Sequence, residues 1–89
     1  MTKQEFINWA LSRGWAEDKF GHLQKTVPFN TSDTSSESEQ YRFKLSSTHV
    51  RYEKKIGVAV GQTEWLRIRS GYFKDLSINS AGTLVGLKR

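Results

Sequence analysis

At 89 residues the chain has room for one domain with one small core, since chains of this size bury only roughly 60 to 65% of their unfolded surface. Absence of cysteine excludes disulfides and thiolate metal sites, and no run of about 18 apolar residues marks a membrane span. Charge divides unevenly: residues 1–40 carry four Lys/Arg against six acids, a net of −2, while residues 41–89 carry ten against three, a net of +7.

Thr2 and Glu5 form the pattern of a capping box, in which the Thr hydroxyl and the Glu carboxylate each satisfy a backbone N–H of the first helical turn. A helix over about 3–13 follows, with Phe6, Ile7, Ala10 and Leu11 on one apolar stripe and Gly14 placed to end it in the left-handed region. Glu17 to Lys19 read as a turn. Residues 21–27 alternate well enough for a first strand, which Pro28 ends.

Residues 30–40 are polar, rich in Ser and Thr, and contain Asp33, Glu37 and Glu39. Too little apolar surface is available there to offset ordering, so a mobile acidic loop is expected, either simply solvated or shielding the basic sheet.

From Tyr41 the period becomes two: Tyr41, Phe43 and Leu45 point one way, Arg42 and Lys44 the other. Strands are expected at about 41–46, 49–56, 64–69, 72–78 and 83–87. Leu66 and Ile68 are assigned inward, Trp65, Arg67 and Arg69 outward. Ser70-Gly71 is the expected bulge and residues 79–82 the last hairpin turn. The ten aromatics Phe6, Trp9, Trp15, Phe20, Tyr41, Phe43, Tyr52, Trp65, Tyr72 and Phe73 are the candidate core bulk. The expected architecture is α+β: a single domain over residues 1–89, with one N-terminal helix packed on one antiparallel sheet of four to five strands.

The outward face of that sheet carries the functional candidates. Arg42, Lys44, Arg51, Lys55, Arg67 and Arg69 would sit on neighbouring strands about 4.8 Å apart, able to track phosphates, with Trp65 beside them to stack on an unpaired base. Non-catalytic binding of RNA or DNA is therefore the expected function. Plain solvation of a wet sheet face and docking to an acidic protein compete with it. A protein-interaction or oligomerising adaptor, pairing through an exposed strand edge such as Trp65 to Ser70, is the second class.

His22 and His49 are the candidates for proton transfer in a third class, a metal-free ribonuclease. The short helix, Arg13-Gly14-Trp15 and then Gly21-His22 on a strand resemble the start of HicA-type messenger-RNA interferase toxins over residues 3 to 25. The resemblance implies RNA cleavage. The second half departs from that family, because no closing helix is apparent. No metal site, cofactor or membrane attachment is expected, and the expected state is a monomer or weak dimer in a cytoplasm, bacterial or phage in origin.

Overall fold

The computed structural model describes residues 1–28, 38–59 and 61–89. A ten-residue helix, α1 (Lys3–Ser12), leads into a five-strand antiparallel sheet of β1 (Ala16–Glu17), β2 (Leu23–Pro28), β3 (Ser38–Leu45), β4 (His49–Ala59) and β5 (Gln62–Tyr72). The strands lie in chain order as a meander. A 3₁₀ turn (Phe73–Asp75) and a small hairpin of β6 (Ser77–Ile78) and β7 (Leu84–Val85) complete the chain. The architecture is α+β and mostly sheet, with the expected last hairpin standing as a small sheet of its own rather than as part of a single sheet.

Local chemistry accounts for the helix. Thr2 Oγ1 accepts from Glu5 N at 3.1 Å and Glu5 Oε1 accepts from Thr2 N at 2.8 Å, closing the expected capping box. At the other end Gly14 takes φ +93°, and Trp15 N turns back to donate to Ala10 O at 3.0 Å.

Phe6 and Ala10 are fully buried and meet the sheet at Leu23, Phe43, Leu45 and Val50, with Phe73 and Leu76 closing the layer. Phe6 contacts Phe43 edge-on at 4.9 Å and Phe73 at 5.5 Å. Burial of each such side chain is worth about 1.5 to 3 kcal/mol. Trp9 adds a hydrogen bond from Nε1 to Gly82 O at 2.9 Å, fastening the last hairpin turn to the helix.

Four expectations are corrected. Phe20 is 72% exposed and Tyr72 53% exposed, so neither is core, and Leu11 also lies open to solvent. Phe20 belongs to a turn in which Asp18 Oδ1 accepts from both Phe20 N and His22 N, each at 2.9 Å, leaving its ring outside. The strand expected over 21–27 begins at Leu23, for the same reason, and it is the second of the sheet, because Ala16–Glu17 pair with it as β1.

Residues 64–69 and 72–78 do not form two strands. β4 runs on to Ala59 and β5 is continuous from Gln62 to Tyr72, after which Phe73 and Leu76 are drawn into the core by the 3₁₀ turn. The irregularity of β5 also falls earlier than Ser70-Gly71. Tyr52 pairs with Arg69 but Glu53 pairs with Arg67, so Ile68 is the extra residue.

Of the expected loop 30–40, residues 30–37 lie outside the described residues, while Ser38 to Gln40 open β3. The hairpin turn at 79–82 is formed as expected. Asn79 Oδ1 accepts from Ala81 N and Thr83 N, and Gly82 takes φ +79°.

Candidate nucleic-acid interface

Helix and C-terminal hairpin pack on one side of the sheet. The register therefore decides which side chains occupy the other. Leu23, Phe43 and Tyr52 are cross-strand partners on the covered side, so their neighbours Gln24, Arg42 and Glu53 form a row on the open side. Arg67 extends that row from β5. A second row contains Lys44, Arg51 and Ser70, and a third pairs Lys55 with Trp65. Five of the six expected cations thus share one surface with Trp65.

Arg69 is the correction. Strict alternation would set it beside Arg67. The extra residue Ile68 reverses the parity, and Arg69 lies opposite Tyr52 on the covered side. The same reversal brings Ser70 and Tyr72 onto the open face. Lys88 joins them, through a two-residue bridge in which Ser70 N donates to Lys88 O at 2.7 Å and Lys88 N donates to Ser70 O at 2.9 Å. Tyr72, assigned to the core from sequence, and Lys88, given no role there, are surface residues of this face. Their only signal is the bulge and the bridge, and neither has a local motif.

Glu53 sits at the centre of this cationic face and is only 3% exposed. Its Oε1 accepts from Arg42 Nε at 2.6 Å, and its Oε2 lies 3.6 Å from an Arg51 guanidinium nitrogen. Arg51 Nε has no hydrogen-bond partner among the described residues. The Arg42 guanidinium also lies over the Trp65 ring, 4.3 Å from its centroid. One face of the indole is thereby occupied, and Arg42 is fixed between a carboxylate and a π system. Lys44 and Arg67 remain exposed, and Arg67 donates to Ser70 Oγ at 3.4 Å.

Acidic shielding of this face by the expected loop has a partial answer. Glu39 belongs to β3 on the covered side, where it accepts from Lys54 Nζ at 3.0 Å and from the Tyr41 hydroxyl. Those bonds hold the Glu39 carboxyl below the usual range, and the bond to Glu39 pushes Tyr41 up to about 12. Burial raises Tyr52 as well. Asp33 and Glu37 lie outside the described residues.

The two histidines have separate partners. His22 Nδ1 accepts from Leu45 N at 3.0 Å, which commits that nitrogen to the backbone. His49 packs edge-on against Tyr72, with ring centroids 5.3 Å apart. Among the described residues no group of three or more His, Cys, Asp or Glu is placed to hold a metal, and no helix is long and apolar enough to cross a membrane.

Comparison with protein-family models, curated proteins and solved structures finds no match to this chain.

Proposed function

We propose that the protein binds nucleic acid through the open face of its sheet, with single-stranded or structured RNA or DNA as the ligand. The observation that supports this reading is the convergence of Arg42, Lys44, Arg51, Lys55 and Arg67 from three adjacent strands onto one side, with Glu53 the only carboxylate in the same rows among the described residues. Lys88 extends the charge, and Tyr72 at one end and Trp65 at the other offer aromatic surface. Phosphates engage the cations, and unpaired bases stack on the rings and on the Arg42 guanidinium.

Four phosphate contacts to a single strand, from Lys44, Arg51, Lys55 and Arg67 with Arg42 held by Glu53, correspond to a slope of log K against log[salt] of about −2.8, hence roughly a 50-fold loss of affinity between about 50 and 200 mM salt. Anisotropy of labelled single-stranded RNA, single-stranded DNA and duplex DNA measures both quantities. Arg67→Ala should reduce the slope by about 0.7, whereas Arg69→Ala, on the opposite face, should leave it unchanged. Absence of binding at about 50 mM salt, or equal effects of the two substitutions, would refute the assignment.

One feature favours a second reading, pairing through a strand edge. β5 is the last strand of the sheet, and its outer edge is bridged only at Ser70 by Lys88 among the described residues. A dimer formed by adding a strand to that edge would persist at high salt in light scattering, because backbone hydrogen bonds carry it.

A further inference from the structure

The covered side of the sheet holds a second feature, opposite the cationic face. A groove of about 730 Å³ runs between the C-terminal end of α1, the sheet and the last hairpin. Its floor is Phe43, Tyr52 and Ile68, and Trp9, Trp15 and Leu84 form its sides. The aromatics form a continuous path: Trp15 lies 4.2 Å from Phe43 and 6.3 Å from Tyr52, and Tyr52 stacks on Tyr41 at 5.6 Å with 9° between the rings.

Among the described residues every charged side chain lining the groove is a cation: Arg13, Lys25 and Arg69. No carboxylate lies within ion-pair distance of any of them among the described residues. Arg13 donates to Gly82 O at 2.8 Å, and Lys25 Nζ donates to Arg13 O at 2.9 Å. These carbonyls fix the two side chains in place while leaving their charge unneutralised. The Arg69 side chain makes no hydrogen bond or ion pair to a described residue.

The rim is also fixed. A Cβ at Gly82 would fall 1.7 Å from an Arg13 guanidinium nitrogen, so the guanidinium packs directly on the turn's backbone, and Trp9 Nε1 holds the same carbonyl.

We propose that this groove binds a small planar aromatic anion, a fused or single ring carrying a carboxylate or a phosphate. The ring lies against Trp15 and Tyr52, and the anionic group is taken by Arg69, with Lys25, whose Nζ lies 6.0 Å from the Trp15 ring centroid, adding to the positive potential of the groove. The volume suits a small ligand, and aromatic walls with a few fixed polar groups are the usual construction of such sites. Three cations with no carboxylate among them select an anion, and the guanidinium offers paired donors to either oxyanion.

The test uses the full chain labelled with ¹⁵N, in which the indole N–H signals of Trp9 and Trp15 report on the groove and that of Trp65 on the opposite face. 2-Naphthoate and 2-naphthyl phosphate are titrated in parallel with neutral 2-naphthalenemethanol and with inorganic phosphate alone. The expected result is saturable shifts at Trp9 and Trp15 with Trp65 unmoved, for at least one of the two aromatic anions. The tighter of the two identifies the oxyanion.

The alcohol and inorganic phosphate should each bind at least about tenfold more weakly. Arg69→Gln should weaken the anion about tenfold or more while retaining the folded spectrum, and Arg67→Ala should change nothing. Lys25→Met is the second variant, with the same direction expected. No saturable shift up to about 5 mM, equal binding of the alcohol, or indifference to both substitutions would overturn the proposal. Binding of nucleic acid does not enter these readouts, so the two faces stand or fall separately.

Discussion

Removing the carboxylate of Glu53 tests the logic of the open face most directly. The group is almost fully buried among cations, and Arg42, with a side chain 19% exposed, donates to it at 2.6 Å. Breaking a fully buried pair from one side costs about 3 to 5 kcal/mol because the remaining charge is stranded. Here the cost is discounted, since Arg51 is 43% exposed and lies 3.6 Å away, so water and the Trp65 face take up part of the loss. Glu53→Ala should therefore destabilise by about 3 kcal/mol, and Glu53→Gln, which keeps a neutral acceptor for Arg42, by about 1 to 2 kcal/mol.

For a chain of this size a loss of about 3 kcal/mol lowers Tm by roughly 12 to 24 °C. Urea unfolding followed by circular dichroism measures it, with an unchanged m-value as the check that the unfolded state is the same. A double-mutant cycle with Arg42→Met isolates the pair, and a coupling of at least about 1 kcal/mol is expected. Glu53→Gln should at the same time strengthen nucleic-acid binding, because the face gains one unit of positive charge. Loss of less than about 0.5 kcal/mol in Glu53→Ala, or coupling below that value, would show that solvent already screens the contact and would refute the reasoning.

Gly86 takes φ +112°, and a Cβ there would lie 2.4 Å from Asp75 O, a backbone atom with no freedom to move aside. Gly86→Ala should cost about 2 to 4 kcal/mol in thermal or urea unfolding, against about 1 kcal/mol for Gly21→Ala, where φ is +80° and no atom lies within 4 Å. Tyr41 is raised from 10.0 to about 12 chiefly by its hydrogen bond to Glu39. The folded state therefore holds this proton more tightly than the unfolded chain, and the stability it contributes is complete below pH 10.0 and lost as pH rises toward about 12. Absorbance titration at alkaline pH should show one tyrosine ionising last, and that step should disappear in Tyr41→Phe and move down in Glu39→Gln. Persistence of the late step in Tyr41→Phe would assign it elsewhere.

Much of this arrangement is written locally. Thr2 and Glu5 start the helix and Gly14 ends it through bonds that span a few residues, so the sequence alone suffices to place it. The alternation of Tyr41, Phe43 and Leu45 with Arg42 and Lys44 is equally local, because a strand's period of two assigns each side chain to a face without reference to the rest of the chain. Five of the cations on the open face were legible for that reason.

Arg69, Tyr72, Glu53 and Lys88 were not. A single extra residue at Ile68 reverses the faces of everything after it in β5. That insertion is defined only by pairing with β4, with no strong motif at Arg67-Ile68-Arg69 to announce it. Glu53 continues a polar parity like any solvated acid, and its burial exists only once Arg42 from β3 and Arg51 close over it. The sequence by itself determined the elements and the charge of one sheet face. Tertiary pairing decided which side chains meet across strands, and so moved Arg69 from the cationic face to an aromatic groove, because face assignment in a sheet depends on register between segments and not on spacing within one.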